Sequence, residues 1–578
     1  MQKSKKITLG RRSLAALLTV LTLLIATVAQ ARRVSVTHFG AVPDDGKNDA
    51  AALRKAAAYC RKHPNTTLVF PAGVYQLDDP TAIDIERRAI SGALGRGLEV
   101  QWQLFQPQKP YVKGLDFTGS RGLRIEAEGA TLSVGGWMQV LSFIRCQDVS
   151  LSGLTITNRR PAATEGRITA STDSTFDITF DPQLYSYIDS IVQGRYYFYS
   201  RERKHFYYGH VGEGQLLSPG HIRFQSRSHT AVDDVLIIRY CGHYRPCIMV
   251  LESQDVSLSN VSLRSFSGMG VVGHMSHNIL IDGLQVLPEP GRYSSTSTDA
   301  THFTSCSGDL TIRNSHFAGN GDDCTNIHNY YWTMLGIQDP RSKIQDPMVN
   351  RQWEIRVEDA DLHAQALDVP SAGDTLRIVS RRDMSTLAEA VVTAADSSWT
   401  DWRVVVSLDR PLAGLKAEDC LMYNHSRFPR VRIENNRVDY NNGRAFLLKA
   451  RDVSVTGNDI SRCTLSAIKL GAELSWREAG PVEHVLIQGN RIQHTGTADG
   501  YRASSVMLTT EAPQTPPRVN RGITIRDNRF QSDRPVSILL HDAEGVSITG
   551  NHFIGGSGIQ QQNCDGITIQ DNTFATPE

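Results

Sequence analysis

Apolar and polar residues alternate along most of this chain in a short recurring phrase, apolar-x-apolar-x-(Gly/Asn/Asp)-Asn-x-apolar or a close variant. Val256-Ser257-Leu258-Ser259-Asn260-Val261-Ser262-Leu263 is one copy, and others begin at Val149, Ile279, Leu310, Val431, Val453, Val485, Ile523, Val546 and Ile567. Several successive offsets nearly agree: 279 − 256 = 23, 453 − 431 = 22, 546 − 523 = 23 and 567 − 546 = 21. Self-similarity at such a period marks a solenoid, and alternation with period two marks strands with one buried face. The Gly, Asn and Asp between strands tolerate the left-handed conformations of tight bends. Helical periodicity is nearly absent after residue 60. The pattern predicts an all-β chain, a single-stranded parallel β-helix with about 22 residues per coil, right-handed by the crossover rule.

The beginning of the repeat region suits a capped solenoid. Asn48 or Asp49 is placed to N-cap an Ala-rich helix ending near Cys60, which would cover the open end of the core. Thr67 to Tyr75 reads as the first strand and turn, and Asp44 and Asp45 read as a turn ahead of the helix rather than as catalytic groups.

Two stretches interrupt the phrase. Residues 161–230 are rich in tyrosine, and residues 331–427 contain alternating runs at 375–379 and 402–408. Both are long for structureless loops, so each predicts a small β-subdomain extruded from one coil. The expected organisation is therefore 32–160 for the capped first part of the solenoid and 161–230 for the first insertion. The central part follows at 231–330, the second insertion at 331–427, and the last part at 428–578.

Residues 1–31 read as a signal peptide. Lys3, Lys5, Lys6, Arg11 and Arg12 precede an apolar run from Leu14 to Val28, and Ala29-Gln30-Ala31 supplies a small-x-small cleavage site. The expectation is an exported protein, periplasmic or secreted, with no later segment apolar enough to span a bilayer. Lys and Arg total 61 against 60 for Asp and Glu, which gives no bulk electrostatic argument for nucleic acid or an anionic membrane. Nine cysteines without a CxxC pair read as buried small residues, with one surface pair left open.

Candidate chemistry concentrates in one region. Asp299, in Thr298-Asp299-Ala300-Thr301-His302-Phe303, precedes Asp322 by 23 residues, and Asp323 follows directly. With coils of about that length, Asp299 and Asp322 would occupy adjacent coils about 4.8 Å apart, facing one cleft. Gly321 suggests a bend that could turn both members of the pair outward. Three crowded carboxylates cannot all ionise easily, so one can serve as a general acid while the others activate water. That suits inverting glycoside hydrolysis. No G-x-S-x-G elbow or H-E-x-x-H unit is present, which leaves calcium held by the aspartates as the competing reading.

The sequence also resembles known proteins. The segment FGAVPDDGKNDAAAL and the repeat phrases are similar to the pectin-lyase-like β-helix superfamily. More narrowly, STSTDATHFTSCSGDLTIRNSHFAGNGDDCTNIHN, EGRITASTDSTFDITFDP and WREAGPVEHVLIQGNRI resemble glycoside hydrolase family 110, the exo-acting α-1,3-galactosidases. The resemblance runs from about residue 33 to 575 and implies that both insertions are small β-barrels. It implies removal of terminal α-1,3-linked galactose with inversion, without cofactor or metal, with Asp299, Asp322 and Asp323 as the catalytic set. By analogy with related polygalacturonases Asp322 is the general acid, and exchange of roles with Asp299 stays open. Cys324 and Asn329 depart from the usual family pattern beside the pair, which bears on substrate choice.

Further substrate-binding candidates are His302 and His328 on the same coils, and Lys449 and Lys469 on later coils. Glu473, Trp476 and Glu478 sit in a loop that breaks the repeat, where a tryptophan beside acids suits a sugar face. For each of these an ordinary structural role is the alternative. Arg239 and Arg292 carry no distinguishing pattern. The expected partner is an oligosaccharide or glycan with terminal α-galactose. The competing functions are an endo-polygalacturonase or pectate lyase, which would need a basic groove or an Arg or Lys base with calcium, and a non-catalytic carbohydrate-binding β-helix.

Overall fold

Each copy of the repeat phrase pairs with the next in parallel register. Val149 lies opposite Val256, Val256 opposite Ile279, Ile279 opposite Leu310 and Leu310 opposite Val431. The series continues through Val453, Val485, Ile523 and Val546. These strands belong to one sheet of thirteen, and two further sheets of twelve complete the coil. The chain visits the three sheets in turn: Arg121–Glu126, Ala130–Gly135 and Gln139–Ile144 lie in different sheets, and Gln147–Ser152 returns to the first. The architecture is a parallel β-helix. The computed structural model describes residues 32–576 except 96–97, 105–108, 186–194, 336–350, 358–367, 397–402, 481, 499–502 and 557. The expected signal peptide lies outside the described residues.

Apolar positions of the phrase fill one continuous core that runs from Val36 to Phe553. Coil-to-coil stacking repeats identical contacts, as in Phe530, Phe553 and Phe574, whose ring centroids are 4.9 and 5.2 Å apart. The polar positions at the bends are satisfied in the same repeating manner. Asn436, Asn458, Asn490, Asn528, Asn551 and Asn572 form a ladder in which each side-chain oxygen accepts the backbone N–H of the preceding asparagine. The residue before each rung is left-handed, for example Asn435 at φ 54° and Asp527 at φ 57°. A buried amide without such partners would be costly, so the ladder explains why asparagine recurs at this site.

The helix Ala50–Lys62 covers the first coil with Leu53, Ala56, Ala57 and Cys60. Asn48 Oδ1 accepts the Ala50 N–H, whereas the Asp49 carboxylate accepts N–H groups from Val42 and Gln76 and ties the cap to the coil. Asp44 accepts from Val74 N and Asp45 from Lys47 N, so both serve the turn. Helix is scarce after residue 60, as expected, with two short α-helices as exceptions among the described residues. Pro80–Ile90 is helical, with Asp79 Oδ1 accepting from Thr81 and Ala82, and Leu98–Leu104 follows. Asp-Pro at Ncap and N1 is the local signal.

The first insertion runs past the expected residue 230 and is an open seven-stranded antiparallel sheet rather than a closed barrel, built between Ala163–Ser171 and Val235–Arg239 and packed around Phe176, Phe198 and Phe224. The second closes a six-stranded barrel from Trp332–Met334 to Cys420–Asn424. The runs at 375–379 and 402–408 supply its strands Thr375–Ser380 and Arg403–Leu408. All nine cysteines are free, and eight of them are buried. Among the described residues no helix is long and apolar enough to cross a membrane.

Candidate active site

Four strands stack beside one cavity. Thr301–Thr304 pairs with Thr325–Tyr330, which pairs with Phe446–Leu448 and then Ile468–Leu470. Thr301 lies opposite Thr325, so the local register is 24 residues rather than the 23 that aligns Asp299 with Asp322. Asp299 therefore sits opposite Asp323, and Asp322 stands one position earlier on the upper coil. The Ala300 N–H donates to the Asp323 carbonyl at 3.0 Å, which fixes that register. Gly321 permits the close approach of the two turns, because a Cβ there would overlap the Ser297 carbonyl.

All three aspartates line a cavity of about 320 Å³, within the ordinary range of small-molecule sites. Asp299 and Asp323 are buried, and Asp322 is the more open of the three. His302, Glu473, Trp476 and Glu478 also line it, whereas His328, Lys449 and Lys469 are buried behind its wall. Trp476 is 46 % exposed. The two lysines stand well inside the protein, not in solvent.

The acids and bases sort into a balanced network. Asp323 accepts from the Arg444 backbone N–H at 2.6 Å and from its guanidinium at 3.3 Å, so both carboxylate oxygens have donors. Glu473 accepts from Arg444 Nη2 at 3.1 Å, from Lys449 at 3.3 Å and from Lys469. Glu478 accepts from Lys449 and, at 2.9 Å, from the Asn326 amide. Three cations thus face three carboxylates. They hold Glu473 below and Glu478 well below the usual carboxylate range against the opposing push of burial. The same cations already supply the charge that a dication would bring. Asp299 and Asp322 are left without a Lys or Arg ion pair among the described residues. Burial, reinforced by Asp323, pushes both well above the usual range.

A chain of hydrogen bonds specifies the protonation around Asp299. His328 Nδ1 is 2.7 Å from the Asn329 carbonyl, which can only accept, so that nitrogen carries a proton. Burial lowers His328 to about 3, so the ring is neutral and its Nε2 is bare. His302 Nε2, 2.9 Å away, must then donate to it. His302 is lowered to about 4 by burial, which leaves its Nδ1 bare as well. That nitrogen faces Asp299 Oδ2 at 2.6 Å, so the proton between them resides on the carboxyl.

Sequence reasoning missed Arg444, Asn326, Asn442, His243, Tyr208 and the role of Arg239, all of which line the cavity. Arg444 was legible in principle. Phe446 pairs with Thr325, so Arg444 falls opposite Asp323, but the second insertion hides that register. Tyr208 and Arg239 come from the first insertion, where no repeat phrase gives their position.

The family described as "Right handed beta helix region" matches residues 419–574. Alpha-1,3-galactosidase B of Bacteroides thetaiotaomicron is 24 % identical over 96 % of this chain and 91 % of its own. Alpha-1,3-galactosidase A of Shewanella woodyi is 25 % identical over 91 % of this chain and 87 % of its own. The Bacteroides fragilis alpha-1,3-galactosidase A is 26 % identical, covering 92 % and 88 % respectively. These relatives are alpha-1,3-galactosidases. Their similarity spans both insertions and the coils that carry the three aspartates, as the sequence resemblance implied.

Proposed function

We propose that the protein is an exported, exo-acting, inverting glycoside hydrolase that releases terminal α-1,3-linked galactose from glycans or galactan oligosaccharides. The convergence of Asp299, Asp322 and Asp323 on one cavity carries this reading, supported by the named activity of relatives along nearly the whole chain. Asp322 is the most open of the three aspartates and has no ion pair among the described residues, so it donates a proton to the glycosidic oxygen. Asp323, whose two hydrogen bonds from Arg444 oppose the upward push of burial, accepts a proton from the attacking water, and Asp299 helps to place that water. Bond cleavage moves one proton to the leaving hydroxyl and one from water to the base, with C1 inverted. The buried carboxylates of Glu473 and Glu478 border the space for sugar hydroxyls, with Lys469 behind Glu473, and Trp476 offers an apolar face at the rim.

A second assignment gives Asp299 the role of acid and Asp322 that of base. The hydrogen-bond chain through His302 and His328 favours it, because it leaves the proton on Asp299.

The test is release of galactose from an α-1,3-linked digalactoside, with proton NMR of the first-formed anomer. The expected product is the β-anomer, and Asp322→Asn should slow turnover of this substrate by at least about a hundredfold. A folded Asp322→Asn protein with full activity would sink the assignment. Cleavage of polygalacturonate instead would favour the polygalacturonase reading. Recovery of the mature chain outside the cytoplasm, beginning at Arg32, tests export.

A further inference from the structure

The first insertion reaches into the catalytic turns through one side chain. Arg239 ends strand Val235–Arg239 in the middle of the inserted sheet, flanked by Ala163 and Arg195. Its Nη1 donates to the Gly321 carbonyl at 2.8 Å and also to the Ser297 carbonyl. Ser297 lies two residues before Asp299, and Gly321 immediately precedes Asp322. These carbonyls belong to successive coils, so a single guanidinium spans the two turns that present the acids. The turns themselves touch there, since a Cβ on Gly321 would overlap the Ser297 carbonyl.

The same sheet holds the approach to Asp299 at further points. Glu165 accepts backbone N–H groups from Tyr293 and, at 2.9 Å, from Ser294. Tyr197 Oη lies 3.2 Å from Ser294 Oγ, and its ring lies beneath the Arg239 guanidinium at 5.0 Å. Arg239 is 7 % exposed, lines the cavity, and has no hydrogen-bond partner for Nε among the described residues. A cation in that position is expensive to bury unless it does more than fill space.

We propose that Arg239 is a positioning residue for the hydrolysis, clamping the turns before Asp299 and Asp322 at the separation the reaction requires, with the first insertion serving as its rigid mount. The inference rests on the glycoside hydrolase reading above. It explains why an insertion remote in sequence from both aspartates packs where it does. Arg239 also contributes positive charge beside Asp322, which faces Asp299, Asp323, Arg444 and the Tyr197 hydroxyl as well. Removing that charge makes Asp322 harder to ionise.

The experiment uses the full chain, an α-1,3-linked digalactoside, and variants Arg239→Gln, Arg239→Lys and Arg167→Ala. Arg167 lies on the same inserted sheet and pairs with exposed Asp233, so its loss should leave kcat at the wild-type value. Arg239→Gln is expected to lower kcat by about a hundredfold with KM within about threefold, the usual cost of a misplaced reacting group. The limb of the pH profile governed by Asp322 should move to higher pH, whichever limb that is. Arg239→Lys keeps the charge but shortens the reach to the two carbonyls, so kcat should fall by about tenfold while the limb stays in place. Wild-type kcat in Arg239→Gln, a loss confined to KM, or a loss that follows the melting temperature with both limbs unmoved would overturn the proposal. A wild-type protein that releases no galactose overturns the functional reading first, and this inference with it.

Discussion

Asp299 Oδ2 and His302 Nδ1 lie 2.6 Å apart and share one proton. The neighbouring bond from His302 to His328 and the Asn329 carbonyl beyond it leave no other tautomer with both rings neutral. Asp299→Asn retains a donor, because its amide N–H can replace the carboxyl O–H. Its stability should stay within about 1 kcal/mol of wild type. His302→Phe leaves a buried carboxyl with no acceptor and should cost roughly 1–3 kcal/mol. Urea midpoints of the two variants check this. Equal destabilisation by both would show that Asp299 is an ordinary carboxylate accepting a proton from His302.

The roles of Asp299 and Asp322 can be separated by the leaving group. A nitrophenyl α-galactoside departs without protonation, so loss of the acid matters little for it. Loss of the acid should slow the digalactoside by about a hundredfold to ten-thousandfold, the range for general acid catalysis. The expected pattern is that Asp322→Asn keeps activity on the aryl substrate and Asp323→Asn loses both activities. If Asp299→Asn is the variant that spares the aryl substrate, the second assignment stands and the first falls.

Lys449 is fully buried between Glu473 and Glu478, with Asn326 Oδ1 at 3.3 Å. Lys449→Met strands two carboxylates, and removing one partner of a buried ion pair costs roughly 3–5 kcal/mol. The double variant Lys449→Met, Glu478→Gln restores charge balance and should recover part of that loss. Thermal melts of both proteins decide the matter, and additive losses would show that the two residues do not interact.

The fold was legible because the solenoid repeats its own physics. Each apolar phrase sets one strand, and each left-handed residue sets one bend. An error of one residue therefore could not hide across ten copies. The acids were legible because they sit on consecutive uninterrupted coils, although the 23-residue offset paired Asp299 with Asp322 where the coil register pairs it with Asp323. Arg444 and Lys449 lie beyond the second insertion, so their coil alignment depends on where the chain re-enters the stack. Alternation within a strand is also silent about whether an outward lysine meets water or a buried glutamate. Arg239 and Tyr208 were out of reach for a different reason. They belong to an insertion whose docking on the solenoid is set by packing between distant residues, and no local pattern encodes it.

Buried histidines should make the protein acid-sensitive. Burial lowers His274 from 6.5 to about 3, with Arg427 and His302 acting in the same direction. Below pH 6.5 the unfolded chain protonates this histidine while the native state refuses the proton, so stability falls with pH until about 3. At about pH 4.5 the deficit should reach roughly 2–3 kcal/mol for this residue. Asp299 and Asp322 act oppositely, because their raised native values favour the folded state at lower pH, and the wild-type curve alone mixes the two effects. His274→Asn isolates one of them. Its side chain can still reach Thr304 Oγ1, the partner of His274 Nδ1, yet it cannot titrate. The variant should be less stable than wild type near pH 7 and should recover by roughly 2–3 kcal/mol relative to it by about pH 4.5. Denaturant midpoints of the two proteins across that interval measure the difference directly, and parallel curves would mean that His274 charges as readily in the native protein as in the unfolded chain.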